Sequence, residues 1–253
     1  MDGVAVRVRG RGAEAPAPAG RARRMAAWGV HLFTATSGPA GLIALLATVR
    51  GDAATCFWWL AYAVAVDAID GTFARAVRVK EVLPHFDGTL LDNIVDYLTY
   101  VVVPAFFLVQ MNLLPAPVAV PLAVAITLSS AYQFCRTDAK TADHFFTGFP
   151  SYWNIVAYYL YVLRWSPAAN AAVIAIFVVS VFIPIRYLYP SRTVTLRPLT
   201  VGLGIVWSIA MLWVLVHLDA PPHGLVLATL LYPIYYLLLS LALTMRRATP
   251  HPG

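Results

Sequence analysis

Charge is scarce in this sequence. Lys and Arg number 18 and Asp and Glu 12, together 12% of 253 residues, where a soluble domain carries about a quarter. A chain so poor in charge cannot clothe a water-facing surface. With 60% hydrophobic residues and a mean hydropathy of +0.71, it belongs in a bilayer. Cysteine is rarer still: Cys56 and Cys135 lie in apolar segments at opposite ends of their expected helices, which argues against a disulfide and for small buried hydrophobes. His31, His85, His217 and His223 have no metal-ligand spacing and are read as interfacial or packing residues. No repeat of fixed period is present, which argues against a solenoid.

What is abundant is apolar sequence in stretches of bilayer-spanning length, separated by Pro, Gly and charged clusters. It predicts an all-α polytopic transmembrane bundle of about eight spans, at residues 28–49, 53–74, 88–110, 116–135, 151–165, 168–187, 199–217 and 222–243, the fifth being short. Cytoplasmic loops retain Lys and Arg. With both termini cytoplasmic, 16 basic residues fall inside and only Arg50 and Arg164 outside, which supports an even number of spans. The formal charge of +6 then reflects topology, with anionic headgroups rather than nucleic acid as its partner. Residues 1–24, rich in Arg, Gly, Ala and Pro without apolar periodicity, are expected to form a disordered basic cytoplasmic arm. Residues 25–245 are the expected transmembrane catalytic domain and 246–253 a cytoplasmic tail. The absence of a small-residue cleavage site after the first span argues against a signal peptide.

Six of the 12 acidic residues fall between Asp67 and Asp96, in DAIDGTFARAVRVKEVLPHFDGTLLDNIVD. An ionisable group at membrane depth costs several kcal/mol and needs a cavity or a partner. Asp67 and Asp70 are i, i+3 on the second span, and Asp92 and Asp96 are i, i+4 on the third, so each pair shares a helix face. Gly71, Pro84 and Gly88 mark a short connection that makes the two helices antiparallel neighbours and brings the four carboxylates together. Mutual repulsion and partial desolvation would raise their pKa values unless a cation neutralises them. An all-oxygen donor set favours Mg²⁺ or Mn²⁺, as one or two ions. Glycine admits a close ligand, Ala74 keeps its face open, and Arg75 offers a planar fork suited to phosphate oxygens. A structural ion pair of Arg75 with Asp70 or Asp96 is the plainer alternative.

The register Asp67, x2, Asp70, Gly71, x2, Ala74, Arg75, x12, Gly88, x3, Asp92, x3, Asp96 resembles the signature of the CDP-alcohol phosphotransferases, with a twelve-residue gap at the long end of that family's range. The similarity extends through HLFTATSGPAGLIALLA, TDAKTADHFFTGFPSYWNIVAYYLY and, less distinctively, PIRYLYPSRTVTLRPLT. Within the family the chain is most similar to bacterial members that join CDP-diacylglycerol to free choline. The resemblance implies that Asp67, Asp70, Asp92 and Asp96 ligate a pair of divalent ions, with Asp96 also the catalytic base, and that Gly71, Ala74, Arg75 and Gly88 line the CDP site. It also implies a multi-pass protein of the bacterial inner membrane, with its site at the cytoplasmic face, and a homodimer. No Ser, Cys or His stands in the motif, so no covalent enzyme intermediate is expected.

Choline carries no donor on nitrogen and is held on aromatic faces. Tyr97, Tyr100, Tyr132, Phe134, Tyr152, Trp153, Tyr158 and Tyr159 lie near expected cytoplasmic ends or a few turns in, although interfacial belts also collect aromatics. Candidate headgroup or choline residues are Tyr97, Tyr132, Asp138, Lys140, Trp153 and Asn154, the last four in the polar island RTDAKTADHFFTGFPSYWN, which also holds Asp143 and His144. Arg186, Arg192 and Arg197 are candidates for phosphate or lipid, with interfacial topology as the alternative. Two rival functions stand: the same transfer to serine, inositol phosphate or glycerol phosphate, and a cation transporter using the aspartates as a translocation site.

Overall fold

A computed structural model describes residues 20–139, 141, 145–189 and 195–248, the last three as backbone only. Most apolar segments are helical close to their expected limits, but the sixth, expected to reach 187, is helical only over Pro167–Ser180. The first is two helices, α1 (Arg21–Ala35) and α2 (Ser37–Val49), joined at Thr36. Arg21–Arg24 therefore belong to the first turn of α1, not to an arm; residues 1–19 lie outside the described residues. Next come α3 (Ala53–Val77), a one-turn α4 (Val79–Val82) and α5 (Gly88–Asp96). A π-helical segment (Tyr97–Val102) leads from α5 into α6 (Val103–Gln110). After α7 (Ala116–Cys135), a strand β1 (Phe145–Thr147) precedes α8 (Trp153–Leu163) and α9 (Pro167–Ser180). Strand β2 (Arg186–Leu188) then leads to α10 (Arg197–Val216), α11 (His223–Thr229) and α12 (Leu231–Ala248).

Six of these helical stretches are long and apolar enough to cross a membrane, whereas α8 and α9, with 11 and 14 residues, are shorter apolar helices. The expected count of about eight is therefore approximate. The two-stranded antiparallel ribbon, pairing Phe145 with Leu188 and Thr147 with Arg186, is an addition to the all-α expectation. It ties the polar island at 136–154 to the segment that carries Arg186. Gly148, just after β1, has φ +82° and faces the Val181 carbonyl where a Cβ would stand, so only glycine lets the ribbon leave along this path.

Local chemistry explains the hairpin that carries the aspartates. The Asp52 side chain accepts from Thr55 N at 2.9 Å and starts α3; Asp87 accepts from Thr89 N and Leu90 N and starts α5, as N-cap acids do. Arg78 adopts the left-handed conformation that ends α3. Val79, Val82 and Leu83 bury themselves against Ala27 and Val30 of α1, with Ala74 and Val77 packed on the same cluster. Ser37, Ala40, Gly41, Ala44, Ala47 and Thr48 form the buried face of α2, small residues that permit close helix approach, and α2 packs extensively along α3.

The π-helical segment has a cause in the sequence. Pro104 lacks an N–H, and its ring conflicts with the carbonyl four residues back, that of Tyr100. An i→i+5 segment relieves this and is often found at functional sites. It also has a consequence: each four-residue step on an α-helix overshoots one turn by about 40°, whereas the wider turn returns Tyr100 toward the face that carries Asp92 and Asp96.

Candidate active site

Single ligand oxygens of Asp67, Asp70 and Asp92 all lie within 4.8 Å of one another. Asp70, 7% exposed, accepts from Thr34 Oγ1 of α1 at 2.8 Å. Asp67 Oδ2 accepts from the Tyr100 hydroxyl at 2.8 Å. Two neutral donors thus orient two of the three carboxylates without cancelling their charge. The trio is oxygen-only, convergent and partly buried, so the residues present fit a hard divalent cation such as Mg²⁺ or Mn²⁺. Asp96 is not one of this trio. It lines an adjoining cavity of about 300 Å³ together with Asp67 and Asp92.

That cavity is walled by the C-terminal ends of α3 and α7, the start of α5, the π segment, the ribbon and the residues just before α8. Tyr100, Phe134, Phe146, Tyr152 and Tyr189 supply its aromatic surface. Gln133 Nε2 donates to the Thr147 carbonyl at 2.9 Å and holds the ribbon to α7. Tyr152 lines the same cavity as the carboxylates and is half-buried. Arg136 also lines the cavity, but its guanidinium forms a two-pronged pair with Asp138 at 2.8 and 2.7 Å.

The four motif positions expected at a nucleotide site occupy other surroundings. Gly71 and Ala74 are half-buried on α3, and Arg75 is exposed. Arg75 Nη2 donates to Thr72 at 3.1 Å, and Nη1 lies 3.3 Å from where a Gly71 Cβ would be. At Gly88 an added Cβ would meet His31 Cε1 at 2.5 Å. His31 is buried against Trp28 and Phe86, and its Nε2 has no hydrogen-bond partner among the described residues. Gly88 thus admits a side chain of the protein itself.

Several candidates from the polar islands belong elsewhere. Trp153 is fully buried and donates through Nε1 to Ser130 Oγ at 2.7 Å; it is a core residue because the chain turns inward at the start of α8. Asn154, also buried, lines a different, apolar cavity between α3, α8 and α10. The Tyr97 hydroxyl donates to the Thr127 carbonyl, which fastens the start of the π segment to α7. Tyr132 is 49% exposed and stacks near Phe182. Asp138 is exposed and held by Arg136, while Lys140, Asp143 and His144 lie outside the described residues. Arg186 places its guanidinium 4.6 Å over the Phe145 ring, Arg197 begins α10, and Arg192 lies outside the described residues. Both cysteines are free thiols; Cys56 is buried and Cys135 exposed.

Sequence reasoning missed Thr34, Phe146 and Tyr189. Phe146 sits inside the polar island RTDAKTADHFFTGFPSYWN, and Tyr189 near Arg186 in PIRYLYPSRTVTLRPLT. Thr34 carries no local signal, because its partner is 36 residues away.

Residues 30–186 match the model of the CDP-alcohol phosphatidyltransferase family, and the chain belongs to that family. This removes the transporter alternative. Among relatives, a phosphatidylcholine synthase of Legionella pneumophila is 52% identical over 168 residues, 66% of each chain. One from Rhizobium meliloti is 41% identical over 209 residues, 81% of this chain and 87% of the relative. One from Borreliella burgdorferi is 37% identical over 216 residues, 85% and 92% respectively.

Proposed function

We propose that this chain transfers the phosphatidyl group of CDP-diacylglycerol to choline, forming phosphatidylcholine and releasing CMP. The observation that carries the reading is that Asp67 belongs both to the metal-competent trio and to the wall of the cavity that holds Asp96. A donor diphosphate anchored at the trio and an alcohol in the cavity would meet there. The similarity to phosphatidylcholine synthases supports choline as that alcohol.

Asp67, Asp70 and Asp92 would hold the divalent ion or ions, Mn²⁺ or Mg²⁺, with Asp96 completing the set. Such an ion supplies charge neutralisation at the diphosphate and Lewis acidity at the phosphorus. The chain's own residues do the rest. Thr34 and Tyr100 fix the carboxylates, and Asp96 takes the proton of the choline hydroxyl. The choline oxygen forms its bond to the phosphatidyl phosphorus in line as the bond to the CMP oxygen breaks. Gly71, Ala74, Arg75 and Gly88 are assigned to the CDP side of the trio, and Arg186, Arg192 and Arg197 to lipid phosphates at the interface. The distribution of Arg supports placing the site and both termini at the cytoplasmic face of a bacterial inner membrane, and the family resemblance supports a homodimer.

The cavity's chemistry favours a cationic acceptor over an anionic one. Three carboxylates line it, and its one basic residue among the described residues, Arg136, is already paired with Asp138. Purified protein given CDP-diacylglycerol, Mn²⁺ or Mg²⁺ and a panel of alcohols should release CMP with choline. Turnover with serine, inositol phosphate or glycerol phosphate alone would replace choline as the acceptor, and no turnover with any alcohol would sink the reading.

A further inference from the structure

The cavity beside the aspartates sets several ring faces opposite its carboxylates. Tyr100 comes from the π segment, Phe146 from β1, Tyr152 from the turn before α8 and Tyr189 from the residue after β2. The rings of Tyr100 and Tyr152 are 6.2 Å apart at 48°, and those of Phe146 and Tyr189 4.9 Å apart at 36°. The Tyr100 hydroxyl is engaged by Asp67, which fixes the ring as a wall rather than leaving it to bind ligand through oxygen.

We propose that the rings of Tyr100, Phe146, Tyr152 and Tyr189 seat the trimethylammonium group of the acceptor, and that these faces select choline over ethanolamine. The inference rests on the choline reading above. A quaternary ammonium cannot donate a hydrogen bond; it is held by the negative faces of aromatic rings, most strongly where water is excluded. A primary ammonium has the opposite need, since each N–H that loses water without finding an acceptor carries a penalty.

The geometry suits one end of choline to each wall. Asp96 and Tyr100 are four residues apart, neighbours on one helix face, and choline's hydroxyl and nitrogen are separated by two carbons. A hydroxyl directed at Asp96 leaves the methyl groups against the rings. Asp67, Asp92 and Asp96 add negative potential to the same space. The rival occupant of an aromatic recess is the cytosine base of the donor. Gly71, Ala74, Arg75 and Gly88, the positions assigned to CDP, are not among the residues that line this cavity, so that assignment does not call on these rings.

The test measures kcat and KM for choline, dimethylethanolamine, ethanolamine and CDP-diacylglycerol in the wild type and in Tyr152→Leu, Tyr189→Leu and Tyr189→Phe. Folding is checked by thermal unfolding in detergent, and the use of two half-buried rings, Tyr152 and Tyr189, keeps the test open if one leucine variant fails to fold. The leucine variants should raise the choline KM about tenfold or more, with smaller changes in kcat and in the KM for CDP-diacylglycerol. Their preference for choline over ethanolamine should narrow, and Tyr189→Phe should raise the choline KM less than Tyr189→Leu. Tetramethylammonium should compete with choline in the wild type and more weakly in the leucine variants. Folded leucine variants with an unchanged choline KM would overturn the assignment of the rings alone. A rise confined to the KM for CDP-diacylglycerol would do the same and give the rings to the base. A wild type that never uses choline would overturn the underlying reading along with it.

Discussion

The acidic trio separates two regions built by different means. On one side are Gly71, Ala74, Arg75 and Gly88, all from a single hairpin and spaced by helix geometry. On the other is the aromatic cavity, whose walls come from α5 and the π segment, α7, the ribbon and the approach to α8. The first region is local in sequence and the second is assembled from segments up to 122 positions apart, Asp67 to Tyr189. Damage to the trio should disable both regions, while damage to either side should show which substrate that side serves.

The largest effect is expected at the trio. Asp70→Asn or Asp92→Asn should lower turnover about a thousandfold or more, the loss of several kcal/mol of charge stabilisation. Chelation of divalent ions should do the same to the wild type, with recovery on adding Mn²⁺ or Mg²⁺. Asp96→Asn comes next, with turnover down by about 10²–10⁴-fold, the range for a lost general base. Its KM for CDP-diacylglycerol should change much less, and wild-type turnover would remove the role assigned to it.

Thr34→Val removes the donor to Asp70 while keeping the shape. A lost outer partner of a ligand typically costs 10–100-fold in metal affinity, so the metal concentration for half-maximal activity should rise by that order. An unchanged metal response would mean that Thr34 only packs.

Gly88→Ala tests the nucleotide side. Its Cβ would press on the buried His31 ring, and overpacking of this kind costs about 1–3 kcal/mol, read as a lower melting temperature. Adding His31→Ala should restore part of it. Without rescue, the demand for glycine at 88 would come from a ligand rather than from His31.

The smallest effect is expected at Asp138→Asn. The hydrogen bond from Arg136 holds the Asp138 carboxyl below its usual range. A depressed acid contributes stability at neutral pH and loses it as the pH falls through the folded-state value. Exposed pairs are screened by solvent, so the substitution should leave melting at neutral pH unresolved from wild type, and choline turnover should test only whether Arg136 must stay neutralised.

How much could be read in advance follows the same division. Helix limits at Gly88–Gln110 and Ala116–Cys135 matched the apolar runs because length and hydropathy alone set them. The sixth run did not: expected to reach residue 187, its helix ends at Ser180, because Arg186–Leu188 pairs as a strand with Phe145–Thr147. Trp153 looked like a headgroup residue because it sits in a polar island, yet its indole finds Ser130 on α7. Phe146 and Tyr189 looked ordinary until the ribbon paired their strands.

The sequence by itself determined that the chain spans a membrane, that four aspartates share one hairpin, and which family they belong to. Helix periodicity and the desolvation cost of charge act on neighbours in the chain, so those conclusions need no partner from afar. Only the tertiary structure decided that Asp67, Asp70 and Asp92 converge within 4.8 Å, that His31 occupies the space beside Gly88, and that four rings from separate elements line one cavity. The last of these depends on the π turn at Pro104 and on the ribbon between the 136–154 island and the Arg186 segment, which direct side chains across distances that no local pattern records.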